Sequence, residues 1–154
     1  YGLSGLRIGW AIADPQTIED LWRRHEYAVI AAAAPSMTLA AIALQREKRQ
    51  KLIRRQRDLS VAGRRVFETW LRDQGNVFSV LPSAATSLAF VRFDLPLTSH
   101  EMAEEIRTKA NVLVAPGSFL GAEQHLRITL GYEPEKVAKA LERIGEVAAA
   151  IRRR

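Results

Sequence analysis

The stretch Tyr1-Gly2-Leu3-Ser4-Gly5-Leu6-Arg7-Ile8-Gly9-Trp10 carries the most specific pattern of the chain. Large and small residues alternate from residue 6 to residue 13, which predicts a β-strand with two unlike faces. One face would be apolar, and the other would carry Arg7 among glycine and alanine. Because small neighbours leave room for a bulky anion, and a guanidinium matches phosphate oxygens in a bidentate way, Arg7 is a candidate phosphate ligand.

A second alternating stretch runs from residue 125 to residue 130 and carries another arginine, Arg127. The leucines and the isoleucine of this stretch are predicted to point into a core, which sends Arg127 to the opposite face. There its charge meets water, an acidic partner or a ligand. Arginine stays charged and holds a carboxylate in one orientation, so Arg127 is a candidate carboxylate ligand.

These two stretches and a loop before the second one resemble the class I/II aminotransferase family of fold-type I pyridoxal-phosphate (PLP) enzymes. Residues 1–10 are similar to its Y-G-L-x-G-L-R-I-G-[WFY] run, residues 125–129 to its H-x-R-[IL]-[ST] context, and residues 116–121 to its P-G-x-x-F-G turn. The resemblance implies an α/β fold, the C-terminal portion of a fold-type I PLP transferase. Residues 1–45 would be the tail end of the large PLP-binding domain, and residues 46–154 a small α+β domain that includes a long linking helix.

The resemblance also implies a cofactor and the residues that hold it. The cofactor would be pyridoxal 5′-phosphate, with its phosphate bound by Arg7 and with Ser4 and Tyr1 close by. The family's Schiff-base lysine would lie two places before Tyr1. The resemblance therefore implies no catalytic residue within the chain, and no activity of the 154 residues alone.

The substrate side of the implied site lies late in the chain. Through the resemblance, Arg127 would grip the α-carboxylate of the substrate, and Gly117 and Phe119 would lie at the edge of the active site. The glycines of that loop would serve a plain connection equally well. The implied activity is transamination between an amino acid and a 2-oxo acid, in a homodimer. A carbon–sulfur β-lyase of the same fold, and the ligand-binding module of a PLP-sensing transcriptional regulator, remain open.

Hydrophobic periodicity predicts the elements of the first part of the chain. A helix over residues 16–27 is predicted to turn Ile18, Leu21 and Trp22 inward. A second helix, over residues 36–44, is rich in alanine and leucine. Because it has no polar face, it is expected to be almost wholly buried.

After residue 45 the predicted order is helix, two strands, helix, two strands, helix. The long first helix ends at Gly75-Asn76, and a turn at Pro82 separates the first pair of strands. Thr98 and Glu101 have the spacing of a capping box and predict the start of the next helix, which Asn111 closes. The elements are expected over residues 46–73, 77–81, 87–93, 98–110, 112–114, 125–130 and 133–154.

Charge and composition narrow the range of functions. The 23 lysines and arginines exceed the 17 acidic residues, for a net charge of +6, and seven of the basic residues crowd residues 46–57. No aromatic residue lies among them, which indicates a solvated helix face and no nucleic-acid partner. No apolar run is long enough to cross a membrane. With no cysteine, no clustered metal ligands and no leader-like start, we expect no metal site and a cytoplasmic location.

Overall fold

The computed structural model describes residues 1–81 and 86–153 of the chain. The described residues fall into two compact units, Tyr1–Gln56 and Arg57–Arg154. The turn predicted at Pro82 lies outside the described residues. The helices are α1 (Pro15–Ala28), α2 (Ala34–Ala43), α3 (Arg46–Asp73), α4 (Ser99–Ala110) and α5 (Pro134–Arg152), and the strands are β1 (Phe78–Val80), β2 (Leu88–Phe93), β3 (Ala115–Pro116) and β4 (His125–Thr129).

The strand predicted over residues 6–13 is wrong. A 3₁₀ turn, Ser4–Leu6, is followed by residues without regular structure up to α1, and Arg7 takes a left-handed conformation with φ of 54°. A strand has to bond its backbone to a neighbouring strand, and none of the described residues from 1 to 56 forms one. Residues 6–13 alternate as a strand would, but the described residues of the first unit include no neighbouring strand with which they could pair.

Helix α1 forms where the sequence predicts it, because its start is capped. A carboxylate oxygen of Asp14 accepts a hydrogen bond from the Thr17 backbone N–H at 3.0 Å, and Pro15 occupies the first turn. The side chains predicted to face inward are nevertheless exposed, Ile18 by 38% and Trp22 by 58%. The helix is amphipathic, but the described residues of its unit do not cover its apolar face.

Helix α2 also forms, but the expectation that it is almost wholly buried is wrong, since it contains no buried residue. Within its unit it contacts the 3₁₀ turn at residues 4–6. An apolar helix is buried only where another element packs against it. The described residues of the first unit leave most of the α2 surface uncovered.

The second unit is built on a four-stranded antiparallel sheet with the strand order β1-β2-β4-β3. The two central strands pair with Ala89 opposite Ile128 and Val91 opposite Leu126. These four side chains are buried, while their neighbours along each strand are not. One face of the sheet therefore forms the core and the other face is open.

Helices α3, α4 and α5 complete the core of this unit. The faces predicted from periodicity are confirmed: Val137, Leu141 and Ile144 of α5 are buried, as are Met102 and Ile106 of α4. The capping box of α4 is present as predicted. The Thr98 hydroxyl accepts from the Glu101 N–H at 3.2 Å, the Glu101 carboxylate accepts from the Thr98 N–H at 2.7 Å, and Asn111 ends the helix in the left-handed region.

The strand predicted over residues 112–114 is misplaced, because the strand is Ala115–Pro116, which overlaps the start of the turn over residues 116–121. Residues 112–114 do alternate, with Leu113 exposed and Val114 buried. The alternation is not accompanied by pairing, because β3 meets β4 only where Ala115 lies opposite Arg127 and Pro116 opposite Leu126. The backbone path of the loop, rather than side-chain pattern, decides which residues bond.

We expect Gly63→Ala to destabilise the second unit. A Cβ atom on Gly63 of α3 would lie 1.9 Å from the Leu130 carbonyl oxygen, which is backbone and cannot rotate away. The gain in helix propensity, about 1 kcal/mol, is outweighed by overpacking of about 3 kcal/mol. Urea unfolding followed by circular dichroism should show a net loss of about 2 kcal/mol.

Gly145→Ala is the matched control, because its Cβ would meet the end of the flexible Gln74 side chain at 2.9 Å. Its loss of stability should stay below about 1 kcal/mol. Equal effects of the two substitutions would contradict the close contact between α3 and the end of β4.

Amide hydrogen exchange should differ between the two units. Helices α1 and α2 contain no buried residue, whereas α4 and α5 are rich in them, so the first pair is expected to open more readily. Exchange measured by mass spectrometry should be faster in residues 6–44 than in residues 87–150. Stronger protection of the earlier segment would contradict this expectation.

Candidate functional site

Arg127 lies on the open face of the sheet, as its position between buried neighbours predicts. Leu126 and Ile128 are buried, and the Arg127 side chain is exposed. Its partners across the sheet are Phe90 on β2 and Ala115 on β3. Within the described residues the Arg127 guanidinium makes no hydrogen bond and no ion pair, so its donors are available to a ligand.

His125 shares this face, and hydrogen bonds to Ser99 and Glu123 fix its position. Its backbone N–H donates to the hydroxyl of Ser99 at 3.2 Å, and its ring Nδ1 lies 2.7 Å from the carbonyl oxygen of Glu123. The Ser99 N–H in turn donates to the Glu123 carboxylate at 2.9 Å. These bonds tie the start of β4 to the first turn of α4, and Ser99 is fully buried among them.

The His125 ring stacks on Phe90 with a centroid separation of 4.8 Å and an interplanar angle of 16°. Phe90 could not be singled out from the sequence, since it lies in a mostly apolar run that carries no motif. Only the strand register identifies Phe90, because it places this residue directly opposite Arg127 and diagonally next to His125. An aromatic pair therefore borders the free guanidinium.

A cavity of about 630 Å³ opens beside this face at the β3 edge of the sheet. Arg127 and Phe119 both line it, so two of the predicted substrate residues meet there. Its walls come from α4 and α5 and include Ala103, Leu141 and Ile144. The lining is thus largely apolar, with Arg127 on the sheet side and Glu104, Arg107 and Lys136 on the helices.

Gly117, the third predicted substrate residue, is buried and packs against the chain itself. A Cβ atom there would lie 2.4 Å from the Ala122 carbonyl oxygen and 2.6 Å from the Cβ of His125. The absence of a side chain lets the loop pass against the start of β4. Its binding role stays a prediction.

The residues predicted to hold a phosphate belong to the first unit. Tyr1 and Ser4 line a second cavity, of about 300 Å³. The Arg7 N–H donates to the Ser4 carbonyl oxygen at 3.1 Å, so one turn of backbone carries both side chains. The phenol oxygen of Tyr1 accepts a hydrogen bond from the Nε of Arg49 at 3.1 Å.

Arg7 itself is exposed, and its guanidinium makes no hydrogen bond or ion pair among residues 1–81 and 86–153. The space around it is open, as its small neighbours predict: a Cβ atom on Gly5 or on Gly9 would meet nothing within 4 Å. Arg7 does not line the cavity that Tyr1 and Ser4 line, and its link to Ser4 is the backbone hydrogen bond of the turn.

Glu123 and Glu101 both accept hydrogen bonds at the start of α4, Glu123 from the Ser99 N–H and Glu101 from the Thr98 N–H. The Ser99 N–H lowers the pKa of the Glu123 carboxyl below its ordinary value of 4.5, and the Thr98 N–H does the same for Glu101. In each case a hydrogen bond to the ionised carboxylate is the main cause. The folded chain therefore favours the charged form of both groups.

In residues 1–81 and 86–153, no group of three or more histidine, aspartate or glutamate side chains is arranged to hold a metal ion. None of the described helices combines the length and the apolar character needed to span a membrane.

Comparison with known proteins confirms the predicted family and fold class. The chain matches the family described as aminotransferase class I and II over residues 1–144. It is 30% identical to the 3-methylarginine biosynthesis aminotransferase ArgM of Streptomyces arginensis over 155 aligned positions, covering 99% of this chain and 40% of that protein. It is 27% identical to the capreomycidine synthase of Streptomyces vinaceus, with 95% and 37% covered.

Solved structures agree in fold. A PLP-dependent aminotransferase from Streptococcus suis superposes with a TM-score of 0.84 at 23% identity, over 98% of this chain and 40% of that one. An aromatic aminotransferase from Pyrococcus horikoshii superposes with a TM-score of 0.77 at 25% identity, over 96% and 40%. The chain thus spans about 40% of the length of these relatives.

The stability of the second unit should fall in acid. Because the folded pKa of Glu123 is lower than its unfolded value, the stabilisation is complete above 4.5 and is lost as pH falls through the folded value. Glu123→Gln should be less stable than the parent chain at neutral pH, and the difference should shrink below pH 4.5.

Urea unfolding across this pH range, followed by circular dichroism, measures the effect. Glu142→Gln serves as control, because it removes the same charge from an exposed position on α5, and its loss of stability at neutral pH should be smaller than that of Glu123→Gln. A Glu123→Gln variant whose stability ran parallel to the parent at every pH would contradict the assignment.

Proposed function

We propose that the protein transfers amino groups between an amino acid and a 2-oxo acid, because its chain belongs to the aminotransferase class I and II family. The relatives named above include aminotransferases in sequence and in structure, which favours transamination over carbon–sulfur lysis or ligand sensing. The chain spans about 40% of these relatives, so the proposal concerns the activity of the whole protein. The unpaired Arg127 guanidinium on a rigid strand is the observation that carries it.

Arg127 is proposed to bind the substrate carboxylate. It is exposed on a strand that is bonded on both sides, by β2 and by β3, so the position of its backbone is fixed. A guanidinium holds a carboxylate through two parallel hydrogen bonds and so sets its plane. Fixing that plane orients the bond at the substrate Cα, which favours one reaction geometry over others. Phe119, in the lining of the cavity on the β3 side, would border the bound carboxylate.

Pyridoxal 5′-phosphate is the proposed cofactor, and the donors of the first unit fit its phosphate group. Arg7 supplies an unpaired guanidinium, Ser4 a hydroxyl on the same turn, and Tyr1 a phenol that Arg49 already contacts. None of the three is a carboxylate, and the surface beside Gly9 is open. When bound, the cofactor supplies an electron sink for the substrate Cα. Arg7, Ser4 and Tyr1 would hold and orient it.

The two compact units support the assignment of cofactor binding to the first part of the chain and of substrate binding to the second. We assign residues 1–45 to a PLP-binding domain and residues 46–154 to a small domain with its linking helix. The compact units divide within α3, between Gln56 and Arg57. The exposed apolar side chains of α1 and α2 support a further contact surface, which we assign to a homodimer. A chain without cysteine suits the reducing cytoplasm, where we expect it to act.

The two arginines should have separable effects in the whole protein. Arg7→Ala should weaken retention of the cofactor for every substrate alike. Arg127→Ala should spare cofactor content and lower kcat/KM for amino and 2-oxo acids by about 10- to 100-fold, as expected for a charged hydrogen-bonded contact left unmade. Arg127→Lys should restore little, because a point charge does not hold the plane of a carboxylate.

Cofactor absorbance and steady-state kinetics measure the two effects. Arg152→Ala, an exposed arginine on α5, is the control and should change neither. Amines without a carboxylate should react equally well before and after the Arg127 substitution. If Arg127→Ala released the cofactor while Arg7→Ala retained it, both roles would be reversed.

A further inference from the structure

The open face of the sheet carries a second arginine, Arg92 of β2, that the proposed function does not use. Arg92 lies opposite His125 in the strand register, and Phe90 lies opposite Arg127. The two arginines are therefore diagonal neighbours across β2 and β4, with Cα atoms on the order of 7–8 Å apart. Both side chains are exposed on the same face.

Neither arginine has an anionic partner. Across the described chain, the Arg92 and Arg127 guanidinium groups make no hydrogen bond and no ion pair. The four described strands contain no aspartate or glutamate, so this face offers no acidic side chain of its own. Like charges on adjacent strands repel each other. An anionic ligand that binds both arginines would offset this repulsion.

The other diagonal of the same four residues is filled by the stacked pair Phe90 and His125. Because these rings meet on one diagonal, the two guanidinium groups stand on either side of them. The hydrogen bonds to Ser99 and Glu123 hold His125, so the stack is a fixed, largely apolar surface. A hydrocarbon chain can lie on such a surface while charged groups at its two ends reach the arginines.

We propose that this face binds a short linear dicarboxylate, with one carboxylate on Arg127, the other on Arg92 and the connecting chain over Phe90 and His125. The proposal rests on the assignment of Arg127 to a carboxylate in the proposed function and adds the substrate class. Arg92 is then a specificity-determining residue, since it contacts a group that only dianionic substrates possess.

Direct binding to the 154-residue chain tests the proposal without catalysis. The probes are glutarate and valerate, which have the same number of carbons and differ in one carboxylate. Amide chemical shifts of β2 and β4 report binding. We expect saturable binding of glutarate, about tenfold or more tighter than that of valerate, as a second charge-assisted contact implies.

Variants assign the preference to individual side chains. Arg92→Gln should remove the preference for glutarate and leave the affinity for valerate unchanged, and Arg92→Lys should keep part of the preference. Arg127→Gln should weaken both ligands. Arg152→Gln, the matched exposed arginine on α5, should change neither. Shifts outside the sheet that match the parent chain show that each variant is folded.

Several outcomes would overturn the proposal: no saturable glutarate binding, equal affinity for the two ligands, or a glutarate preference that survives Arg92→Gln. Loss of valerate binding in Arg92→Gln would also overturn it, because Arg92 would then be the primary carboxylate ligand. The proposed function fails separately, if the whole protein does not transaminate although the glutarate preference is present. If the whole protein transaminates but the chain shows no preference for glutarate, the proposed function stands and the dicarboxylate proposal fails.

Discussion

The two-residue period of β4 is the constraint on which the second unit depends. This strand pairs with neighbours on both sides, so its side chains have no freedom to turn. Burying Leu126 and Ile128 under α4 and α5 requires Arg127 to stand on the opposite face. Burial of a full leucine or isoleucine side chain is worth about 1.5–3 kcal/mol, so the core fixes where the guanidinium lies. The candidate site is thus a consequence of core packing.

Polar contacts at the start of β4 fix the position of this strand relative to α4. Glu123 accepts a hydrogen bond from the Ser99 N–H, and the Ser99 hydroxyl accepts one from His125. Since Ser99 opens α4, the helix and the strand are held in register by bonds that involve a fully buried hydroxyl. Gly117 contributes to the same junction by letting its loop pack on His125. Rigidity at this point keeps the open face of the sheet in a single arrangement.

Features that depend on neighbouring residues in sequence could be predicted, and those that depend on distant partners could not. The capping box at Thr98, the α5 stripe and the outward position of Arg127 follow from local spacing, and the structure has all three. The strand over residues 6–13 and the burial of α2 require elements that the described residues of the first unit do not supply. Periodicity states which face is apolar, and it does not state what covers that face.

Strand register explains the remaining gap in the candidate site. Arg92 and Phe90 carry no motif and lie in a strand that reads as mostly apolar. They can be assigned to the site only from the pairing of β2 with β4, which places them beside His125 and Arg127. Arg7 shows the opposite case, since its motif is specific while its surroundings are sparse. It sits on a short turn in the left-handed region, tied to Ser4 through one backbone hydrogen bond.

The contrast between the two arginines has a physical basis. A strand residue bonded on both sides presents its side chain in a fixed direction, which suits a group that has to be oriented for reaction. A residue on a short exposed turn has a less constrained backbone, and it suits a group that needs only to be anchored by charge. The assignment of substrate to Arg127 and of phosphate to Arg7 therefore follows the stiffness of the backbone as well as the sequence motifs.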